Sequence, residues 1–337
     1  MQQRVWLDTL REFMEKHETD EVWQQKKHEA EIKNPWFTQV NISKSINAWV
    51  DVLRNDAENW LGEYTIPKVF SLQKLGIIMA GNIPLVGLHD LLCGIICGYR
   101  VRIKASSDDE VLIKHIVGGW ISANPDLMDR IEFSDNFKGL DAAIATGSNN
   151  SGRYFEYYFR NIPHLLRGHR NSISVVGENT SEEELTALGD DVFTYFGLGC
   201  RNVTHLLLPR GFDMVRLFHA WEPYAGLIHH HKYANNYHYH RAVLLMNLDK
   251  HLDNGFVILK EKEDVYAPVG MVGYSFYDSL EDVQQYVMQY ENQIQVVTGF
   301  QSKVKFGKAQ QPGLSDYADH TDTIKWLLDN YNAAASS

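Results

Sequence analysis

The spacing of hydrophobic residues changes near residue 70. Before that point apolar residues recur at helical intervals, and the two clearest sets are Trp6, Leu10, Phe13 and Met14, and Ile46, Trp49, Val50 and Leu53. Ser43 stands where an N-cap would begin the second of these helices. The pattern therefore predicts a helical N-terminal region over residues 1–70.

From Lys74 onward, short apolar strands alternate with helical stretches. The segments KLGIIMA, YRVRIKAS and LDAAIATGS have the composition of buried strands, and helical patterns separate them. The alternation resumes after Cys200 with NVTHLLLPRG and FDMVRLFHAWEPY, and a turn at Asp253-Asn-Gly255 joins two further strands. Alternation of this kind is typical of βαβ units with parallel sheets, so we expect two successive α/β domains.

Composition narrows the function classes. The chain has 337 residues, 44% of them hydrophobic, and a formal net charge of -11. This acidic balance argues against nucleic acid or an anionic membrane as the partner, since both attract basic surfaces. The sequence contains neither a signal-peptide core nor an apolar run long enough to span a bilayer, and its three cysteines form no CxxC pair. We therefore expect a cytoplasmic protein with free thiols.

Three turns follow predicted strands of the first α/β domain, where parallel sheets bind their ligands. They are Gly81-Asn-Ile-Pro84, Lys104-Ala-Ser-Ser107 and Gly147-Ser-Asn-Asn-Ser-Gly152. None is a GxGxxG fingerprint or a P-loop, so the usual dinucleotide and nucleoside-triphosphate motifs are missing from the sequence. Their order, followed by the distant FGLGC around Cys200, carries more information than any one of them.

This order of motifs resembles the aldehyde dehydrogenase superfamily, and more narrowly the LuxC-like acyl-CoA reductases of bacterial bioluminescence. The resemblance covers roughly residues 75–335. It implies an aldehyde-dehydrogenase-like α/β fold, with a Rossmann-type parallel-sheet domain for NAD(P) over residues 71–176 and a second α/β catalytic domain over residues 177–315. The helical region 1–70 would pack on the cofactor domain, and residues 316–337 would form a closing segment.

The resemblance also assigns roles to individual residues. Cys200 in FGLGC takes the place of the catalytic thiol, and Asn82 that of the asparagine whose amide helps form the oxyanion hole. The remaining matches imply a cofactor site: Lys104 at the adenosine ribose, Ser107 three residues later, a phosphate turn at Gly147, Ser148 and Gly152, and a nicotinamide-ribose segment EDVYAPV with Asp264 and Tyr266. No metal is expected.

Two positions refine the predicted chemistry. Ser107 replaces a glutamate that would repel a 2'-phosphate, which favours NADPH and leaves NADH open, although the neighbouring Asp108 and Asp109 oppose a phosphate. Ser174, in SVVGE, replaces the glutamate that activates the deacylating water, unless Glu178 or Glu183 supplies that base. A missing base favours thioester chemistry over hydrolysis.

The sequence therefore predicts an NADPH-dependent acyl-CoA reductase that forms an aldehyde, from a fatty substrate, through a Cys200 thioester. Two alternatives stay open: an NAD(P)-dependent aldehyde dehydrogenase, oxidising or CoA-acylating, and a noncatalytic acyl-carrying or scaffold subunit. The expected partners are acyl-CoA, an acyl-activating enzyme and a second copy of the chain.

Other clusters have simpler interpretations. The histidine-rich stretch from His229 to His240 lacks cysteine or acidic ligands at zinc spacing, so polar surface or channel lining is favoured over a metal site. His205, five residues after Cys200, is interpreted as structural, with a Cys-His dyad as the alternative. Cys93 and Cys97 are predicted to lie in the core, and scattered arginines are candidates for CoA phosphates: Arg153, Arg160, Arg167 and Arg170.

Overall fold

The structure is a computed structural model that describes residues 2–66, 73–147 and 149–335. The chain forms two compact units, one of Met1–His169 with Pro312–Ser337 and the other of Arg170–Gln311. Residues 312–335 thus belong to the first unit although they follow the second in the chain. Among the described residues, no helix combines the length and the apolarity that crossing a bilayer requires.

The first unit begins with four helices, as the hydrophobic spacing predicts: α1 (Gln2–Met14), α2 (Glu21–Lys33), α3 (Gln39–Asn55) and α4 (Ala57–Gly62). Their apolar faces are buried in one core, which includes Trp6, Leu10, Ile46 and Leu53. The predicted cap at Ser43 is wrong. α3 begins earlier because the Thr38 hydroxyl accepts a hydrogen bond from the Asn41 N–H at 3.3 Å, so Ser43 lies within the helix.

A five-stranded parallel sheet follows, with β1 (Lys74–Ile78), β2 (Arg100–Lys104), β3 (Ile131–Phe133), β4 (Ala142–Thr146) and β5 (His164–Arg167) in the order β3-β2-β1-β4-β5. The connecting helices are α5 (Leu88–Ile96), α6 (Glu110–Ala123) and α7 (Asn149–Phe159). The strand order reverses between β1 and β4, and ligands of such sheets bind beyond the carboxyl ends at this reversal. The prediction of a Rossmann-type sheet is confirmed.

The second unit contains a six-stranded sheet whose strands are β6 (Asn171–Val175), β7 (Val203–Pro209), β8 (Leu252–Asp253), β9 (Ile258–Glu261), β10 (Met271–Tyr277) and β11 (Ile294–Gly299). Its order is β11-β6-β7-β10-β9-β8, parallel except for β8, which pairs antiparallel with β9 around the predicted Asp253–Gly255 turn. The helices are α8 (Glu182–Phe193), α9 (Met214–Ala220), α10 (His231–Met246) and α11 (Leu280–Gln289). β6 precedes the predicted division at 176/177.

The last helix, α12 (Thr323–Ala335), is joined to the rest of the first unit through a buried ion pair that contacts its first residue. The Arg167 guanidinium donates to both carboxylate oxygens of Asp90 at 2.7 and 3.1 Å and to the Thr323 hydroxyl at 2.7 Å. It also donates to the carbonyl of Ala318 at 2.8 Å. Arg167 is 4% exposed at its side chain, so the suggestion that it meets CoA phosphates is wrong.

Candidate active site

The three cysteines lie in different surroundings. Cys93 and Cys97 are fully buried, as predicted, and burial raises the pKa of both thiols, so they stay protonated at neutral pH. Cys200 is half-buried. Because the nucleophilic form of cysteine is the thiolate, and because a substrate must reach it, Cys200 is the one of the three suited to covalent chemistry.

A strained turn carries Cys200 from α8 to β7. Three consecutive residues, Tyr195, Phe196 and Gly197, have φ angles of 54°, 59° and 78°. Glycine adopts this left-handed conformation at no steric cost, whereas for each of the two aromatic residues it costs about 1 kcal/mol or more. Both aromatic side chains are buried, and their packing offsets the strain. Backbone strain of this kind is concentrated at functional sites.

The side-chain amide of Asn202 links the two ends of this turn. Its Oδ1 accepts a hydrogen bond from the Gly199 N–H at 2.8 Å. Its Nδ2 lies within hydrogen-bond distance of three carbonyl oxygens at the end of α8, those of Asp191, Val192 and Thr194, at 3.1, 3.2 and 2.8 Å. Asn202 is completely buried. Asn202 was not predicted as a site residue, because its only signal in the sequence is an asparagine two positions after the cysteine.

Cys200 lies at the amino edge of the second sheet, since β7 begins three residues later. The segment before β10 is at the same edge, because β7 and β10 are parallel. The Thr204 hydroxyl joins the two by donating to the Val265 carbonyl at 2.7 Å. Asp264 and Tyr266, which flank Val265, are exposed, and the Asp264 carboxylate pairs with Lys262 at 2.9 Å. The fold thus brings the predicted nicotinamide-ribose segment to the cysteine's edge.

The two glutamates suggested as the water-activating base, Glu178 and Glu183, follow the other edge of this sheet. Ser174 is fully buried within β6, and its hydroxyl contacts the Thr298 carbonyl at 3.4 Å. Glu178 and Glu183 follow the carboxyl end of β6, which is parallel to β7. The five-residue strand β6 separates its two ends by about 13 Å, and both glutamates lie further along the chain. The suggestion that Glu178 or Glu183 supplies the base beside Cys200 is therefore wrong.

Asp191 and Arg201 hold the 307–309 segment beside the cysteine turn. The buried Asp191 carboxylate accepts from the backbone N–H groups of Gly307 and Ala309, both at 2.8 Å. The Arg201 guanidinium, next to Cys200 in the chain, donates to the Ala309 carbonyl. Burial raises the pKa of Asp191 to about 6, against the opposing effect of the two N–H donors. The segment KFGKAQ is thus fastened to the end of α8 that leads to Cys200.

The raised pKa of Asp191 predicts a pH-dependent stability. Between pH 4 and 6 the unfolded chain has lost this proton while the folded chain retains it, so stability falls as pH rises through this window. Over this pH range the free energy of unfolding falls by up to about 3 kcal/mol, since the pKa of Asp191 is about 6 in the folded chain and near its ordinary value in the unfolded one. Urea unfolding at pH 4 to 7 should show the wild type losing stability relative to Asp191→Asn as pH rises. A difference that is constant, or that favours the wild type at higher pH, would contradict this assignment.

His205 and His230 have structural environments. His205 is fully buried, bonds the Ser275 hydroxyl through Nε2 at 2.9 Å and stacks on Tyr286, and burial lowers its pKa to about 3. This supports the structural interpretation over a dyad with Cys200. His230 caps α10 and stacks on Phe196 with ring centroids 4.3 Å apart. Within the described part of the chain, no three His, Cys, Asp or Glu side chains are grouped as metal ligands.

In the first unit, the predicted cofactor residues that the structure describes lie at or after the carboxyl ends of β2 and β4. Lys104 ends β2 and pairs with the exposed Asp135 at 3.1 Å, and Ser107 is exposed in the next turn. Gly147 follows β4 directly, and Gly152 lies in α7, where an added methyl group would meet no atom within 4 Å. Ser148 lies outside the described residues. Lys104 and the start of α7 thus lie at the same edge of the sheet, on strands that β1 separates, and a helix start at such an edge suits phosphate groups.

Asn82 lies half-buried in the loop after β1. The buried Asp109 carboxylate holds this loop by accepting a hydrogen bond from the Leu85 N–H at 2.8 Å. Leu85 has a left-handed φ of 62°. Burial raises the pKa of Asp109 well above its usual range. Asp109 therefore turns inward, while Asp108 is exposed beside Ser107. Asn82 and Cys200 belong to different units, so their joint oxyanion role stays a prediction.

No protein-family model and no curated protein matches the sequence. Solved structures do match in fold. An aldehyde dehydrogenase from Bacillus cereus in complex with NAD+ aligns with a TM-score of 0.63 and 13% identity, over 88% of this chain and 71% of that one. The aldehyde dehydrogenase ALDH21 from Physcomitrella patens, in complex with the product succinate, aligns at 0.66 and 12%, over 97% and 83%. The Mycobacterium tuberculosis aldehyde dehydrogenase with NAD+ aligns at 0.64 and 12%, over 88% and 72%.

These alignments cover most of the chain at an identity too low to carry more than architecture. They span both units of the chain, and so both of its sheets. The predicted fold class is therefore confirmed: the chain has the aldehyde-dehydrogenase-like α/β fold, with a Rossmann-type sheet and a helical N-terminal region.

Proposed function

We propose that the protein is a nicotinamide-dependent oxidoreductase that interconverts an aldehyde and an acyl thioester through Cys200. The observation that carries the proposal is the half-buried Cys200 thiol on a strained turn, at one sheet edge with the Asp264–Tyr266 segment, while the other two thiols are buried and protonated. The fold, whose solved examples include aldehyde dehydrogenases with NAD+, supports the same chemistry.

The Cys200 thiolate attacks the carbonyl carbon of an aldehyde to give a hemithioacetal, or that of an acyl thioester to give a Cys200 thioester and release the leaving thiol. A bound nicotinamide cofactor supplies the hydride chemistry that interconverts the hemithioacetal and the Cys200 thioester. Both attacks develop negative charge on the carbonyl oxygen, and hydrogen-bond donors aimed at that oxygen lower the barrier. We assign this role to the Asn82 amide and the Cys200 backbone N–H.

The acceptor of the acyl group separates two forms of this activity. The three solved structures named above are aldehyde dehydrogenases, which favours an aldehyde-oxidising or CoA-acylating enzyme over a dedicated reductase. The buried Ser174 and the position of Glu178 and Glu183 at the opposite edge argue against activation of water. We therefore favour exchange of the acyl group with a thiol such as that of coenzyme A, which needs no water-activating base. Acyl-CoA reduction is the reverse of this reaction.

Lys104, Gly147 and Gly152 would hold the adenosine and phosphates of the cofactor, and Asp264 and Tyr266 the nicotinamide ribose. The exposed Ser107 carries no charge that would repel a 2'-phosphate, which favours NADPH, whereas the aldehyde dehydrogenases from Bacillus cereus and Mycobacterium tuberculosis named above carry NAD+. Asp108 is exposed beside Ser107 and opposes a phosphate there. Both cofactors therefore belong in the assay, with NADPH as the proposed preference.

Intact-protein mass spectrometry tests the proposal. Wild-type protein is incubated with acyl-CoAs of increasing chain length, and NADPH or NADH is then added. We expect a mass increase equal to the acyl group, and its loss with release of aldehyde when the reduced cofactor is present. In the other direction, aldehyde with NADP+ or NAD+ should give acyl-CoA when coenzyme A is present.

Each other outcome has a definite meaning. Rapid formation of free acid without coenzyme A would overturn the thiol-acceptor proposal and indicate a hydrolytic aldehyde dehydrogenase. An acyl adduct that persists with either cofactor would indicate a noncatalytic acyl carrier. No adduct with any acyl-CoA, and no turnover of any aldehyde, would overturn the assignment of Cys200 as the nucleophile.

A further inference from the structure

The carbonyl groups at the end of α8 are capped by a side chain that lies beyond the cysteine turn. The last four carbonyl groups of a helix have no partner within the helix and are commonly satisfied by a glycine-ended motif. Here Thr194, which follows the helix, has φ and ψ angles of -55° and 139°, so the chain leaves the helix abruptly. The Asn202 Nδ2 group lies beside the carbonyls of Asp191, Val192 and Thr194. A side chain from beyond the cysteine therefore caps the helix before it.

The other half of the same amide acts on the cysteine side of the turn. The Oδ1 atom of Asn202 accepts from the Gly199 N–H at 2.8 Å, one residue before Cys200. The Asn202 backbone N–H in turn donates to the Gly199 carbonyl at 3.0 Å. Cys200 and Arg201 are thus enclosed in a short loop whose ends are joined twice. One planar amide fixes this loop relative to the end of α8.

The strained residues lie between the groups that Asn202 joins. Residues such as Tyr195 and Phe196 keep a left-handed conformation only where the surrounding structure fixes them on both sides. Other contacts also reach the turn: the Ser172 hydroxyl donates to the Cys200 carbonyl at 3.0 Å, and Arg201 donates to the carbonyl of Ala309, whose N–H is held by Asp191. The Asn202 side chain joins the two sides of the turn directly, through one amide group.

We propose that Asn202 is a positioning residue for Cys200, which sets the backbone of the cysteine turn against the end of α8 without touching substrate. The proposal deepens the function proposed for Cys200 and rests on it for its catalytic consequence. The chemistry required is specific to a carboxamide of this length: an acceptor for Gly199 and a donor for the helix carbonyls. Aspartate has no donor, alanine has neither group, and glutamine is one methylene too long.

The test compares Asn202→Ala and Asn202→Ser with a matched control, Asn124→Ala. Asn124 is also buried, and its amide donates to the Thr9 hydroxyl and the Trp120 carbonyl, in the unit that does not contain Cys200. Removing either asparagine is expected to lower stability by a similar amount. The serine variant, which keeps one small hydrogen-bonding group, provides a folded protein if the alanine variant does not fold.

Two measurements need no substrate. Amide exchange at Gly199 should become about tenfold faster in Asn202→Ala, since its acceptor is lost. The rate at which iodoacetamide alkylates Cys200, followed by intact mass at one pH, should also depart from the wild-type value. Asn124→Ala should leave both rates unchanged. If Asn202→Ser and Asn202→Ala both match the control in these rates, the positioning role is overturned.

The third measurement connects the geometry to catalysis. A displacement of the nucleophile by about 1 Å lowers kcat by about 100-fold, while KM stays near its wild-type value because the binding surfaces remain. We expect this split in Asn202→Ala, with an intermediate kcat in Asn202→Ser. Wild-type kcat and KM in both variants, despite altered alkylation, would overturn the catalytic consequence. If the wild type itself is inactive, the proposed function fails, and the two substrate-free rates still decide whether Asn202 positions the turn.

Discussion

Replacing Cys200 with serine is expected to lower kcat/KM by about 10⁴-fold or more, because a serine hydroxyl at neutral pH is a far weaker nucleophile than a thiolate. The change exchanges one atom at a half-buried position, so the thermal midpoint should stay close to that of the wild type. The measurement is turnover of acyl-CoA or aldehyde with each nicotinamide cofactor, together with the mass of the protein after exposure to acyl-CoA. The acyl adduct should disappear with the activity.

Cys97→Ser is the matched control. Its thiol is fully buried and protonated, since burial raises its pKa, and it contacts the Ile324 carbonyl. The same one-atom exchange there should change stability more than activity per folded molecule. Retention of more than about a tenth of the activity in Cys200→Ser would contradict covalent catalysis at this position. Loss of the adduct in Cys97→Ser and not in Cys200→Ser would contradict the choice of cysteine.

Replacing Arg167 with methionine is expected to destabilise the first unit by about 3–5 kcal/mol, because it leaves the Asp90 carboxylate buried without its partner. Arg167 makes four hydrogen bonds, two to Asp90 and one each to Thr323 and Ala318. Urea unfolding monitored by tryptophan fluorescence measures the effect. The first unit contains buried tryptophans such as Trp6 and Trp60.

Arg210→Met is the control for this prediction. Arg210 also pairs with a carboxylate through two nitrogens, that of Asp278, but both side chains are more than 60% exposed. Exposed pairs contribute at most about 1 kcal/mol, so this variant should be nearly as stable as the wild type. Adding Asp90→Leu to Arg167→Met should recover part of the loss by removing the unpaired charge. Equal losses from Arg167→Met and Arg210→Met would contradict the importance of burial.

The sequence predicted the architecture well because the fold depends on patterns that are local. Alternation of apolar strands with helical stretches indicated β1, β2, β4 and β7, and the order of turns indicated the superfamily fold. Its errors were at positions where a distant residue decides the outcome. Arg167 seemed a candidate for phosphate because nothing nearby in the chain shows that Asp90, 77 residues away, buries it in an ion pair. Ser43 seemed a cap although Thr38 begins the helix.

The candidate site was predictable in part. A lone cysteine after Gly-x-Gly indicated the turn, but aromatic residues give no signal for a left-handed conformation, so the strain at Tyr195 and Phe196 was not foreseen. The role of Asn202 depends on hydrogen bonds to residues 8 to 11 positions earlier, which exist only after α8 and β7 have packed. The partners of Asp191 are more than 100 residues away. Contacts of this kind leave no pattern in a sequence.

The return of residues 312–335 to the first unit has a consequence for biosynthesis. The second unit is one continuous segment, so it can fold while later residues are still being made. The first unit cannot finish folding until Thr323 has been synthesised, because the Arg167 and Asp90 side chains meet there with the last helix. During translation the nascent chain therefore carries a completed second sheet while the first unit is still unfinished. The turn with Cys200 is assembled first, and the unit proposed to hold the cofactor is completed last.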